Sequence, residues 1–394
     1  MISMRVAIFT DTYPPEINGV ATSCRNLYRT FVEHGDSVLV VATNPYNNEL
    51  SFYGDILRLP GVDMKHLYDY RWASVYNADA MKLIKEFNPE VIHIQTDGGV
   101  GQFGFIAANI LHVATVYTFH TMMEDYTYYA TRGYFDRAAK SIVRTYVRYK
   151  SRRADEFITP SIKIQEYMRN IGVDAYMNVI PTGIDFTAFK KENIDAKKVK
   201  DLRAKYSLGP DTYVILSLGR VAKEKSIDIC LEGYAQFLAS HPKKKTKFVI
   251  VGGGPALKEL QELSEKLGLG DNVVFVGPVN PDNVPLYYAL GDLFVSASIT
   301  ETQGLTFMEA MASSLLLLAR YDESLVGTIK DGEDGFFFLD AADMGKKLPG
   351  ILALNQSKQN SIRSAALKAI EPYSLEKFYT RVHEVYERAI KKNW

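Results

Sequence analysis

Cysteine is scarce in this chain. Cys24 and Cys230 are its only two, and they lie far apart, each in a helix-like segment. That excludes a disulfide framework and a cysteine-based zinc site, and it fits a reducing cytoplasm. Net charge is missing as well: 46 Lys and Arg balance 46 Asp and Glu, so nothing draws the whole molecule toward nucleic acid. There is no long hydrophobic run. The longest apolar region, Phe103 to Phe119, is broken by Asn109 and His112 and divides into a helix followed by a strand, so no membrane span is expected. The apolar run Val6 to Phe9 is short and meets Asp11, which argues against a signal peptide.

What remains is an ordinary globular composition, 47% hydrophobic and 23% charged, on a chain of 394 residues. That length exceeds one compact core and predicts two domains. The first half alternates short apolar strands with helices: Arg5 to Thr10, Ser37 to Ala42, Val91 to Ile94, Ala114 to Phe119, Glu156 to Thr159 and Asn178 to Ile180. The second half repeats the plan with Tyr213 to Leu218, Lys247 to Val251, Val273 to Val276, Leu293 to Ser296 and Leu315 to Ala319. Such alternation predicts parallel sheets covered on both faces, an α/β fold. The expected boundaries are 1–182 for the first domain, 183–373 for the second, and 374–394 for a terminal helix with apolar positions at Phe378, Val382, Val385 and Ala389.

The most informative stretch runs from Thr300 to Ala312. It sets Glu301 and Glu309 on either side of Gly304, between the strand Leu293-Phe294-Val295 and a helix beginning at Leu305. Unpaired backbone N–H groups and the helix dipole make such a start an anion site. A carboxylate on each side can accept hydroxyl hydrogen bonds, which suits a sugar nucleotide. An ordinary capped helix with two surface glutamates has the same spacing. Arg220 stands at another strand end and Lys225 five residues on. Departure of a nucleoside diphosphate needs a cation, and this pair supplies a fork and a point charge. His120 ends the strand Ala114 to Phe119, where open α/β sheets bind ligands.

These segments resemble the retaining glycosyltransferases of family 4, which have the GT-B fold of two Rossmann-like domains with parallel sheets facing a central cleft. The likeness covers nearly the whole chain. Family members usually show Glu-Gly-Phe-Gly-Leu where this chain has Glu301-Thr302-Gln303-Gly304-Leu305, and the Thr-Gln version is similar to the branch that glucosylates diacylglycerol. The resemblance implies that Arg220 and Lys225 clamp the donor diphosphate with the Gln303–Leu305 helix start, that Glu309 holds the ribose, and that Glu301 and His120 orient the sugar. Gly19 matches a glycine-rich loop facing the diphosphate, Gly253 a loop near the nucleotide, and Val279 a segment packing on the base. Tyr126 falls in what looks like the acceptor loop. The family uses no divalent metal or other cofactor, and its terminal helix returns to the first domain. One departure is plain: the small-Gly-x-Pro-Val run after the paired-glutamate helix is here Ser313-Ser314-Leu315-Leu316-Leu317.

A further signal lies between Phe135 and Arg153. At helical spacing Arg137, Lys140, Arg144, Arg148 and Arg152 share one side, and Phe135, Ala139, Ile142, Tyr146 and Tyr149 the other. Such a helix can lie on an anionic bilayer; its apolar side can equally face the domain core. Together these readings predict a cytoplasmic enzyme, peripheral on the inner face of the membrane. Its partners would be a UDP-sugar (UDP-glucose) and a diacylglycerol acceptor, with no nucleic acid. A glycan acceptor, or an inactive sugar-nucleotide-binding scaffold, keeps the same fold.

Overall fold

The computed structural model describes residues 3–16, 18–64, 70–120, 136–298, 303–322, 325 and 328–393, with backbone alone for 64, 70 and 136–140. The chain divides into two compact units. One comprises Met1–Gly183 with Leu375–Trp394, the other Ile184–Ser374.

The first unit is built on ten strands: β1 (Arg5–Thr10), β2 (Ser37–Thr43), β3 (Ser51–Tyr53), β4 (Ile56–Leu59), β5 (Gly61–Met64), β6 (Tyr70–Ala73), β7 (Val91–Ile94), β8 (Ala114–Thr118), β9 (Glu156–Thr159) and β10 (Met177–Val179). Eight of them form one sheet in the order β10-β9-β8-β7-β1-β2-β4-β3, and β5 pairs with β6 apart from it. Every pairing in the large sheet is parallel except β3 with β4. Strand residues alternate between two cores. Ala7 and Phe9 join one with Ile92 and Ile94, while Val6 and Ile8 join the other with Val38, Val40 and Val91. A sheet buried on both faces needs apolar residues at every position, which is why these strands read as continuous runs.

The helix Leu375–Asn393 closes the second of those cores with Phe378, Tyr379, Val382, Val385, Tyr386 and Ala389, all buried. Full burial of a large apolar side chain contributes roughly 1.5–3 kcal/mol, so this helix is integral to the first unit. The other face is covered by helices including Gly99–Leu111, whose apolar composition follows from its burial. Among the described residues no helix is long and apolar enough to cross a membrane.

The second unit holds β11 (Tyr213–Leu218), β12 (Thr246–Val251), β13 (Val273–Gly277), β14 (Leu293–Ser296), β15 (Leu316–Arg320) and β16 (Phe336–Phe338). Their order is β13-β12-β11-β14-β15-β16, all parallel. The chain reverses its direction of travel across the sheet between β11 and β14, and between β1 and β7 in the first unit. Ligands of doubly wound sheets bind beyond the carboxyl ends of the strands at such points.

Candidate active site

In the second unit three loops leave the carboxyl ends of β11, β12 and β14, and each leads to a helix. The helices are Ile227–Ser240, Leu257–Lys266 and Leu305–Ala312, and among the described residues none has a side chain capping its first turn. Gly304 occupies the N-cap of the third with φ +76°, in the left-handed region that a side chain would strain. A Cβ there would also lie 2.7 Å from the Phe307 ring. Leu305 and Thr306 follow it into the helix, half-exposed.

The loops interlace through their backbones. Val221 N–H donates to Gly253 O at 2.9 Å, Ala256 N–H to Val221 O at 3.1 Å, and Gly252 N–H to Gly277 O at 2.9 Å. A Cβ on Gly252 would sit 1.8 Å from Gly219 O, so only glycine permits this approach. A Cβ built on Gly219 would lie 3.9 Å from Thr306 Cγ2, which brings the β11 loop beside the helix start. Arg220, Gly253, Gly304 and Leu305 are therefore gathered at one end of this sheet. Arg220 is partly exposed, and its guanidinium is ion-paired with Glu224 four residues on. That carboxylate had no role in the sequence expectations; its ion pair fixes the direction of the Arg220 fork. Lys225 ends a short 3-10 turn, its backbone N–H donating to Ala222 O. Glu309 stands one turn into its helix, half-buried, and Tyr288 Oη donates to its Oε2 at 2.9 Å. Tyr288 is itself buried, so it braces the carboxylate from beneath. Val279 packs against the core of this unit. Gln303 lies within 3.7 Å of Met308 Sδ through its Nε2.

At the corresponding end of the first sheet the chain supplies its own anion. Asp11, just past β1, is buried, and its carboxylate accepts from Gly98 N–H at 2.8 Å, Val100 N–H at 2.9 Å and Thr96 Oγ1 at 2.6 Å. It thus fills the N-terminus of helix Gly99–Leu111; burial pushes its carboxyl above the usual value despite those donors. Asn18 caps helix Gly19–Glu33 through Ala21 N–H at 2.9 Å, and Gly19 is an exposed first helical residue. His120, one residue past Phe119, donates through Nε2 to Gln95 Oε1 at 2.6 Å. Burial, partly opposed by Asp97, lowers its pKa to about 4, so the ring is neutral near pH 7. Asp97 is paired with the buried Lys150 Nζ at 2.9 Å and receives Tyr117 Oη at 2.6 Å.

Glu301 and Tyr126 lie outside the described residues, as do the side chains of Arg137 and Lys140. The rest of helix Asp136–Ser151 corrects the expected division of faces. Tyr146, Val147 and Lys150 turn inward, while Ile142 and Tyr149 are 70% and 56% exposed. Lys150 rotates the helix by going in to Asp97, and periodicity cannot foresee a buried lysine. The exposed surface carries Ile142 and Tyr149 together with Arg144, Arg152 and part of Arg148. Among the described residues no three His, Cys, Asp or Glu side chains are grouped to hold a metal ion.

Residues 17–188 match the family described as Glycosyltransferase Family 4, and residues 198–368 that described as Glycosyl transferases group 1. The chain is 33% identical over 393 residues to an alpha-monoglucosyldiacylglycerol synthase of Streptococcus pneumoniae, covering 99% of this chain and 87% of that protein. The chain is a family 4 glycosyltransferase. A second alpha-monoglucosyldiacylglycerol synthase, from Acholeplasma laidlawii, is 30% identical over 99% of this chain and 98% of its own length. The fold is that of Anabaena HepE, solved with UDP-glucose: TM-score 0.74 at 18% identity, covering 98% of this chain and 99% of that one. The architecture of this glycosyltransferase is therefore GT-B.

Proposed function

We propose that this glycosyltransferase moves a hexose, glucose, from a UDP-sugar to diacylglycerol or a glycosyl-diacylglycerol with retention of configuration, working at an anionic membrane surface. The observation that carries the donor side is the set of helix starts at the end of the second sheet, which among the described residues have no side-chain cap. Their N–H groups, with Arg220 and Lys225, suit a diphosphate without a metal ion. Glu309, braced by Tyr288, suits the ribose hydroxyls. Gln303 to Leu305 line the phosphate approach, Gly253 and Val279 the nucleotide, and His120 and Glu301 the transferred sugar. Retention would follow same-face attack with the leaving phosphate as base, so no protein base is assigned.

The lipid acceptor is supported by the two synthases above and by the exposed face of helix Asp136–Ser151. An aromatic and an isoleucine beside arginines fit the boundary between headgroups and acyl chains. Each arginine near an anionic surface contributes about 1 kcal/mol. Arg137, Lys140 and Tyr126 belong to this proposal, as does a peripheral place on the inner face of the membrane.

The test is incubation with labelled UDP-glucose, UDP-galactose and GDP-mannose, with and without diacylglycerol in anionic vesicles, each with and without EDTA. Transfer of glucose from UDP-glucose to diacylglycerol, unchanged by EDTA and giving the α-anomer, is the expected result. Transfer only to a soluble glycan would overturn the lipid reading.

A further inference from the structure

A continuous hydrogen-bonded relay runs inside the first unit, from His120 to the helix Leu375–Asn393. His120 Nε2 lies 2.6 Å from Gln95 Oε1. The other end of the same amide, Gln95 Nε2, lies 2.9 Å from His93 Nε2. His93 Nε2 is also 2.7 Å from Thr118 Oγ1, and His93 Nδ1 is 2.6 Å from Tyr386 Oη. Gln95, His93 and Tyr386 are all buried. A small, partly open cavity of about 10 Å³ adjoins the relay, lined by Ser23, Thr182, Phe378 and Val382 among others. That is at the lower limit for one water.

The amide fixes the protons. A carboxamide nitrogen only donates and its oxygen only accepts. Gln95 Nε2 donates to His93 Nε2, whose lone pair Thr118 Oγ1 also faces, and the His93 proton then lies on Nδ1, facing Tyr386. His120 Nε2 must donate to Gln95 Oε1, which leaves Nδ1 of His120 as a hydrogen-bond acceptor. Desolvation lowers the affinity of both rings for a second proton.

We propose that Gln95 is a positioning residue for His120: one amide, held by His93 and through it by Tyr386 of the terminal helix, presents His120 as the Nε2–H tautomer with Nδ1 as acceptor. A histidine so fixed receives a hydrogen bond from a sugar hydroxyl. The other tautomer would set two acceptors, the His120 Nε2 lone pair and Gln95 Oε1, against each other. This role rests on the reading that His120 contacts the transferred sugar. It also gives the terminal helix a function beyond covering the core, since Tyr386 anchors the far end of the relay.

The experiment uses the full chain labelled with ¹⁵N-histidine. Long-range proton–nitrogen spectra of the imidazoles are recorded for the parent, Gln95→Met and Gln95→Glu, with kcat and KM for UDP-glucose on diacylglycerol vesicles. The parent should show His120 protonated at Nε2 alone. Gln95→Met should lose that single tautomer and lower kcat roughly 10-fold to 100-fold, the range for removal of a partner that orients a functional histidine, with KM little changed. Gln95→Glu keeps an acceptor for His120 and should recover much of kcat. His120→Ala separates the two claims. If it matches the parent in activity, the sugar contact fails while the spectra still decide the relay. The proposal is overturned if parent His120 carries its proton on Nδ1. It is also overturned if Gln95→Met leaves tautomer and kcat unchanged while His120→Ala is impaired. Should Gln95→Met not fold, the parent spectrum and Gln95→Glu decide.

Discussion

The carboxyl ends of the two sheets use the same topology in opposite ways. In the first unit the helix that follows β7 receives a protein carboxylate: Asp11 takes the N–H groups of Gly98 and Val100. In the second, the helices that follow β11, β12 and β14 have no side-chain cap among the described residues. A helix start attracts an anion in either case. The difference is whether the chain supplies that anion or leaves it to a ligand. On this contrast the proposed diphosphate site is assigned to the second unit. The first contributes a rigid, internally satisfied polar cluster that holds His120.

The contrast can be broken most forcefully at Lys150. Its pair with Asp97 is almost wholly buried, and removing one partner of such a pair costs about 3–5 kcal/mol. Lys150→Met should destabilise the first unit by that amount in urea, and adding Asp97→Asn should recover part of it. Trp72, one of the chain's two tryptophans, belongs to that unit, so its fluorescence reports it. In the second unit the largest effect should fall on turnover. Arg220→Ala should raise the barrier by about 2–4 kcal/mol, as for loss of a preorganised donor, with thermal stability nearly unchanged. Equal kcat in the folded variant would remove Arg220 from the site.

Acid should also separate the units. His120 has its pKa lowered to about 4, and burial holds His93 well below 6.5. Both bind more protons unfolded than folded below pH 6.5. Their contribution is therefore fully present above that pH and is lost as pH falls toward the folded values. Each contributes a slope of about 1.4 kcal/mol per pH unit. Urea unfolding read by tryptophan should lose stability between pH 6.5 and 5. His93→Gln should flatten that slope; an unaltered slope would show that the ring is not neutral in the fold.

The smallest effect concerns the run where glycine and proline are replaced. Ser314 adopts φ +57° after helix Leu305–Ala312, the left-handed conformation that the family's glycine would take without strain. Ser314→Gly should stabilise the second unit by up to about 1 kcal/mol. A loss of stability would mean that the serine is held by contacts outweighing its backbone cost.

Much of this was legible beforehand because buried parallel strands are continuous apolar runs. Val6 to Phe9 and Val214 to Leu216 announce themselves, and the glycines at 252 and 304 mark the turns. Strands β3 to β6 did not, since Ser51, Phe52 and Tyr53 are all exposed and carry no one-sided pattern. Asp11 and Lys150 were equally hidden: a charged residue becomes structural only when distant partners surround it. Tyr288 could have been suspected from its place in a short helix just before β14, but nothing local pairs it with Glu309. The face of helix Asp136–Ser151 was misassigned for the same reason, because a lysine occupied an inward position.

Hydrogen exchange of the full chain with saturating UDP tests the central claim most directly. The account predicts slowed exchange in peptides spanning 219–226, 252–257 and 304–309, with those spanning 96–102 unaltered. Protection at 96–102 without protection at 304–309 would contradict it, placing the diphosphate on the sheet end that the chain's own carboxylate already fills.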